Sequence, residues 1–195
     1  EHFSYLSLSS VAAILASSGL QVFDVEQLPT HGGSLRVFAQ PNGTGSHEPS
    51  GAVDAMLDYE AGLGMRTTSY YSAFQARVEQ VKNAALRFLL DAADRDEVVA
   101  AYGAAAKGNT FLNFAGIRPD LIRCVADLNP AKQGKSMPGS RIPIVTPDVL
   151  EDIKPDYIVI LPWNLRAEVS TQLEHLQQAG SRFVTFIPTL EVSPT

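Results

Sequence analysis

The first two residues carry side chains that are common in proton-transfer chemistry. Glu1 is a carboxylate and His2 an imidazole, and an imidazole with a pKa of about 6.5 can take up a proton near neutral pH. The carboxylate could orient the ring or stabilise its cation, but neighbours in sequence need not face each other. On residue type alone, the two are either an acid–base pair or surface residues without a chemical role.

A second group of polar residues follows a predicted buried strand, in the stretch YGAAAKGNT at residues 102–110. Glycine permits a tight turn, small residues let an anion approach the backbone, and a helix beginning near Lys107 presents free N–H groups. Neither standard phosphate motif is present, because Gly103 is followed by three alanines and Lys107 precedes Gly108. The stretch is therefore either an anion-binding turn or a tightly packed strand-to-helix turn. The binding interpretation assigns it six candidate residues: Tyr102, Gly103, Ala104, Lys107, Gly108 and Asn109.

Three more candidates come where other predicted strands end. Asp127 closes the run LIRCVAD and either accepts a hydrogen bond from a ribose or deoxyribose hydroxyl or serves as a turn residue in DLNP. Trp163 and Asn164 directly follow YIVIL, where an indole can stack on a base or sugar or can cover the sheet edge. Ligands of parallel sheets bind at the carboxyl ends of the strands, so these residues are expected at the same edge as the turn after Tyr102.

Two charged loops are weaker candidates. The segment NPAKQGKSMPGSRIPI carries Lys132, Lys135 and Arg141, which could face a diphosphate or solvent. The stretch HGGS at residues 31–34, with Arg36, is either a hairpin turn with an outward arginine or a substrate contact.

The elements that would position these residues fall into three segments. Residues 1–40 predict a helix capped by Ser9 or Ser10 and a hairpin formed by LQVFDVEQL and SLRVFAQP. Residues 41–95 predict a linker followed by a short helix and a long amphipathic helix from about Ser69 to Asp94. Residues 96–195 alternate short apolar strands with helices, which predicts an α/β, Rossmann-like parallel sheet with helices on both faces. The five strand runs are EVVAAYG, LIRCVADLNP, RIPIVTP, PDYIVILPWN and SRFVTFIPT.

Length and composition limit the class of protein. The 195 residues, 45% hydrophobic and 18% charged, suit a globular protein. A net charge of −6 argues against nucleic-acid polymers and anionic membranes as partners but leaves room for a small phosphorylated ligand. The single cysteine, Cys124, and four scattered histidines show no metal-ligand spacing, so no metal is expected on this chain. Neither a membrane-spanning run nor a signal-peptide pattern is present, so the expected location is the cytoplasm.

Taken in order, five stretches of the chain resemble the C-terminal region of the sugar C-methyltransferases. They are EHFSYLSLSS, THGGSLRVFA, YGAAAKGNTFLN, DLNPAKQGKSMPGSRIPI and DYIVILPWNL, and the resemblance of which they are the motifs covers nearly the whole chain. Members of that family use S-adenosylmethionine to methylate a ring carbon of nucleotide-linked deoxysugars. They contain a small zinc-binding domain, then a methyltransferase domain, then a Rossmann-like domain.

The resemblance implies a role for each part of the chain. Residues 1–40 would be the final piece of the methyltransferase domain, with His2 as the general base and Glu1 as its partner. Residues 96–195 would help to bind a dTDP-linked 4-keto-deoxysugar. S-adenosylmethionine and zinc would be bound by domains that precede Glu1, so this chain alone is expected to bind neither and to be inactive. The unpaired hairpin edge could also drive formation of a homodimer.

A function of a different class stays open from the residues alone. The chain could be a free-standing Rossmann-like module that binds a nucleotide or another protein without catalysis. The absence of an initiating methionine and a helix and hairpin too small to enclose a core favour the enzyme.

Overall fold

A computed structural model describes residues 4–194 of the chain. These residues divide into two compact units, with the boundary between Gln75 and Ala76. We describe each unit by itself.

The first unit contains a helix, a hairpin and two further helices. Helix α1 spans Leu8–Ser17, strands β1 and β2 span Leu20–Leu28 and Ser34–Pro41, and helices α2 and α3 span Gly51–Gly62 and Thr68–Ser72. The predicted helix and hairpin are confirmed, but the predicted cap is wrong. The cap lies earlier in the chain, at Ser7, whose side chain accepts a hydrogen bond from the N–H of Ser10.

The two strands of the hairpin differ at their outer edges. Strand β1 has a bulge at Phe23, and the N–H of Ser50 donates to the Phe23 carbonyl at 2.8 Å. The next residue closes this edge further, because Asp24 Oδ1 accepts from the N–H of Val25 at 2.9 Å and from the Ser50 hydroxyl. Within the described chain, the backbone of residues 35–40 bonds only with β1. Strand β2 therefore has one edge that none of residues 4–194 pairs with through backbone hydrogen bonds.

Packing in the first unit depends on a small apolar core and one buried carboxylate. Leu8, Val22, Val25 and Val53 form the core between the hairpin, α1 and α2. Glu60, only 3% exposed, accepts hydrogen bonds from the backbone N–H groups of Leu8 and Ser9 at 2.6 and 2.8 Å. It thereby satisfies donors that the start of α1 leaves without helical partners.

The long predicted helix is broken once. Helix α3 ends at Ser72 and α4 spans Phe74–Asp94, so the chain interrupts the helix at Ala73. The helix was predicted to be amphipathic over its whole length, but only apolar residues such as Ala85 in its later part are buried, whereas Phe74 is 60% exposed. The interruption explains this difference, because α4 starts at Phe74 and its buried positions lie in its second half.

The second unit is built on a six-stranded sheet. Its strands are β3 (Val99–Tyr102), β4 (Val125–Ala126), β5 (Ile144–Val145), β6 (Tyr157–Ile160), β7 (Arg182–Thr185) and β8 (Glu191–Val192), in the spatial order β5-β4-β3-β6-β7-β8. The first five are parallel and correspond to the five predicted runs. The pattern did not predict β8, a two-residue strand that pairs antiparallel with β7.

Helices cover both faces of this sheet, as the alternation of strands and helices predicted. They are α4, α5 (Ala106–Ala115), α6 (Asp148–Ile153), α7 (Arg166–Gln172) and α8 (Glu174–Gln178). Val99 and Ala101 pack with α4 and α5 on one face, whereas Ala100 and Tyr102 face the α6–α8 side. The apolar residues Val169, Leu173 and Leu176 of this last helical stretch are all buried.

The strand order places a topological switch point at the carboxyl edge of β3 and β6. From β3 the chain moves outward to β4 and β5, then crosses back to add β6 and β7 on the other side of β3. The connections after β3 and β6 therefore leave the sheet in opposite directions. In open α/β sheets this switch point is where ligands bind.

Candidate functional site

The segments that follow β3 and β6 meet at the switch point. Tyr102 ends β3, and the turn after it leads into α5, which begins at Ala106. Trp163 and Asn164 lie in a short 3-10 helix after β6. The Lys107 ammonium is 5.9 Å from the centroid of the half-buried Trp163 ring, within the range of a cation–π contact. The structure therefore brings predicted residues from two separate runs to one edge.

The two glycines of the turn allow close packing. Gly103 has a φ of +85°, and a Cβ on it would lie 2.6 Å from Cδ of Pro162. Gly108 is buried, and a Cβ there would lie 2.6 Å from Cβ of Leu161. Any larger residue at either position would displace the β6–α7 connection. The geometry thus provides direct evidence for the tight-packing interpretation of these glycines.

Asp127 holds the turn after β3 from the neighbouring strand. Its Oδ2 accepts from the N–H of Ala104 at 2.7 Å and from the Lys132 ammonium at 3.1 Å, while its Oδ1 accepts from the N–H of Asn129 at 2.8 Å. Lys132 also donates to the carbonyl of Ala104 at 2.9 Å. The carboxylate, the ammonium and both polar groups of the Ala104 backbone form one network.

This network keeps Asp127 ionised. Burial by itself raises the pKa of the Asp127 carboxyl, but hydrogen bonds from Asn129, Lys132 and Ala104, together with the charge of Lys132, lower the pKa overall. A buried carboxylate that accepts hydrogen bonds from three donors, one of which is a cation, is electrostatically satisfied. Asp127 therefore serves as a turn residue in this structure, with its oxygens engaged by the protein.

Tyr102 and Asn109 also have protein partners. The hydroxyl of Tyr102 accepts from Nε2 of Gln172 at 2.6 Å on the α6–α8 face of the sheet. Burial raises the pKa of Tyr102, and the hydrogen bond from Gln172 opposes that effect. Asn109 accepts from the Asn113 side chain, which also donates to the carbonyl of Pro138 at 2.9 Å and so ties α5 to the loop before β5.

Sequence reasoning missed the supporting roles of Gln172, Asn113 and Lys132. The sequence shows Lys132 as a charge in a loop but does not indicate its partner. Gln172 and Asn113 lie on helices with no motif around them, and only the packing of those helices brings them to their partners.

The remaining candidates lie elsewhere. Glu1 and His2 fall outside the described residues. Arg36 forms an exposed ion pair with Glu26 at 3.0 Å across the hairpin, the arrangement of an outward-facing arginine.

In the described part of the first unit, two cavities of about 620 and 420 Å³ share Gln27, Met56 and Tyr59 in their linings.

Residues 4–194 contain neither a metal-binding cluster nor a membrane-spanning helix. No cluster of His, Cys, Asp and Glu among them is arranged to hold a metal ion. None of the helices in that range combines the length and apolar character needed to cross a membrane. The lone thiol, Cys124, is buried, and burial raises its pKa.

The fold defines an α/β domain of the Rossmann-like class, with a mostly parallel sheet covered by helices on both faces. Residues 29–188 match the family described as the C-methyltransferase C-terminal domain. The chain belongs to this family, so the resemblance noticed in the sequence is confirmed.

A curated relative agrees with the family. The chain is 40% identical over 189 residues to the C-methyltransferase NovU of Streptomyces niveus, an alignment that covers 96% of this chain and 44% of NovU. The chain thus spans less than half the length of that relative.

Proposed function

We propose that this chain is the C-terminal part of an S-adenosylmethionine-dependent C-methyltransferase that acts on a nucleotide-linked 4-keto-deoxysugar. The second unit contributes to binding of the sugar nucleotide, and the beginning of the chain contributes the base. The observation that carries the proposal is the meeting of Lys107 and Trp163 at the switch point of a domain that belongs to the C-methyltransferase family.

The residues at the carboxyl edge suit a nucleoside diphosphate. The Lys107 ammonium supplies a charge for the diphosphate beside the positive end of α5. The Trp163 ring offers a surface on which a base or sugar can stack, and Asn109 and Asn164 add amide groups that donate and accept hydrogen bonds. Gly103 and Gly108 keep the two segments close, while Asp127, Ala104 and Tyr102 fix the end of β3.

The reaction requires removal of a proton from the carbon beside the ketone. We assign that proton to the His2 imidazole, with Glu1 as the group that orients the ring or stabilises its cation. S-adenosylmethionine supplies the methyl group when it is bound. The Asp127 carboxylate, which is placed where a cofactor ribose could be held, is engaged by protein donors instead. We therefore assign the cofactor, and a structural zinc ion, to the part of the protein that precedes this chain.

The open edge of β2 supports the same division. We assign residues 1–40 to the end of a methyltransferase domain, residues 41–95 to the linker and helices, and residues 96–195 to the Rossmann-like domain. A two-stranded sheet is marginally stable by itself, so a strand from the preceding domain is the expected partner of β2. Without that partner, pairing of β2 with a second copy would give a homodimer.

Binding of thymidine diphosphate tests the nucleotide site. We expect isothermal titration to show binding to the full-length protein, with at least a tenfold loss of affinity, roughly 1.4 kcal/mol, in Lys107→Met and in Trp163→Ala. Lys154→Met is the control, since it changes a lysine at the amino edge of the sheet, just before β6. Equal binding by all four proteins would overturn the site.

A second titration tests the assignment of the cofactor. We expect this chain alone not to bind S-adenosylmethionine, whereas the full-length protein binds it. Micromolar binding by the chain of 195 residues would refute the proposed division of labour.

A further inference from the structure

The loop between β4 and β5 reaches back over the turn that starts the proposed nucleotide site. Lys132 lies in this loop, 28 residues after Ala104 in sequence, yet its ammonium donates to the Ala104 carbonyl at 2.9 Å. The same ammonium is 3.1 Å from Asp127 Oδ2, which accepts the Ala104 N–H. The backbone N–H and the backbone carbonyl of Ala104 are thus both held by the Asp127–Lys132 ion pair.

The loop itself is held in place, so that the lysine is directed to the turn. The side chain of Gln133 donates to the Asp127 carbonyl at 2.9 Å. The N–H of Gly134 donates to the carbonyl of Ile144 at 2.9 Å, and the N–H of Ile144 donates to the carbonyl of Lys135 at 2.7 Å. The loop is therefore anchored to β4 at one end and to β5 at the other.

The burial of the Asp127–Lys132 ion pair distinguishes a positioning role for Lys132 from a simple surface contact. The Asp127 side chain is only 10% exposed, while that of Lys132 is 40% exposed. A pair with a buried carboxylate and two further hydrogen bonds to one backbone is worth more than an exposed pair. Lys135 provides the contrast, because it is exposed and its ammonium donates to Ala131 within the same loop.

We propose that Lys132 is a positioning residue for the nucleotide site, which fixes the Gly103–Ala105 turn through Asp127 and Ala104 and does not itself bind the phosphate. This inference rests on the proposed nucleotide site. It gives two lysines different roles: Lys132, in the loop, holds the turn, and Lys107, in α5, contributes charge to the ligand site. The start of α5, which carries Lys107, follows the turn that Lys132 holds.

The two roles predict opposite effects of changing Asp127. If Lys132 positions the turn, Lys132→Met and Asp127→Asn both weaken binding of thymidine diphosphate, each by roughly tenfold, and the double variant is no weaker than the worse single variant. If Lys132 binds phosphate directly, Asp127→Asn frees the ammonium, removes a negative charge and tightens binding. Isothermal titration with the full-length protein measures all four affinities, and Lys135→Met serves as the matched control.

A measurement without ligand completes the test. Hydrogen–deuterium exchange at the Ala104 amide, resolved with overlapping peptides, should be faster in Lys132→Met than in the wild type and unchanged in Lys135→Met. Unchanged exchange in Lys132→Met, or tighter binding by Asp127→Asn, would overturn the positioning role. A wild-type protein that does not bind thymidine diphosphate would instead overturn the nucleotide site, so the two failures are distinguishable.

Discussion

Each unit of this chain contains a buried carboxylate that accepts backbone N–H groups from a distant segment, and the two are neutralised differently. Glu60 receives the N–H groups of Leu8 and Ser9 at the start of α1, where the helix dipole is positive. Asp127 receives the N–H of Ala104 and a full positive charge from Lys132. The first arrangement completes a helix, while the second controls a turn at the edge where ligands bind.

The two buried carboxylates, Glu60 and Asp127, therefore have separate roles, one in the fold and one in the proposed function. Removal of Glu60 leaves two helix donors without partners, so its effect belongs to the stability of the first unit. Removal of Asp127 releases a lysine and a turn at the proposed site, so its effect belongs to binding. The predictions below use this contrast, beginning with the assignment of chemistry to the start of the chain.

The largest effect is expected at the proposed base. His2→Asn in the full-length enzyme should lower kcat by roughly 10²–10⁴-fold, because general-base assistance contributes about that much. Affinity for thymidine diphosphate should not change, since the nucleotide is assigned to the second unit. Steady-state kinetics and isothermal titration measure the two quantities, and a near-normal kcat would reject the assignment.

The next effect concerns the stability of the first unit. Glu60→Ala should lower the free energy of unfolding by about 1–3 kcal/mol for the buried N–H of Leu8 that loses its acceptor. Glu60→Gln keeps one carbonyl oxygen as an acceptor and should cost less. Urea denaturation measures both. A loss in Glu60→Ala no greater than that in Glu48→Ala, an exposed glutamate of the same unit, would contradict the capping role.

Acid should weaken both carboxylate networks. Burial raises the pKa of Glu60 and of Asp127, but their hydrogen bonds outweigh it, so each pKa lies below the usual 4.5 or 3.8. The unfolded chain then binds more protons than the folded chain, and stability falls as the pH drops through and below these values. Unfolding free energies measured between pH 7 and pH 3 should fall less steeply in Glu60→Gln than in the wild type. Equal slopes would contradict the lowered pKa of Glu60.

The smallest effect is expected for the exposed ion pair of the hairpin. Arg36 and Glu26 are 57% and 47% exposed, and such pairs contribute about 0.2–1 kcal/mol. Arg36→Gln should therefore change the unfolding free energy less than Glu60→Ala does, and added salt should remove the difference from the wild type. A loss as large as that of Glu60→Ala would mean that Arg36 has a role beyond this pair.

Much of the fold could be predicted from local patterns. Alternating residues predicted β1 and β2, and short apolar runs separated by helices predicted the parallel sheet and its two covered faces. Local patterns did not predict the cap of α1, which depends on a residue distant in sequence, or the very short strand β8. The chain caps α1 at Ser7 instead of Ser9 or Ser10, because Glu60 occupies the N–H groups of Leu8 and Ser9. Strand β8 has only two residues, too few for a periodic signal.

Periodicity and motifs are local properties of a sequence. They were therefore sufficient to predict most of the elements, the family of the chain and the residue types that follow each strand. Only the tertiary structure decided that Lys107 meets Trp163, that Pro162 packs on Gly103 and that Lys132 is paired with Asp127. The physical reason is the strand order, which places β6 beside β3 although 54 residues separate Gly103 from Tyr157. Spacing along the chain does not specify which strand ends become neighbours.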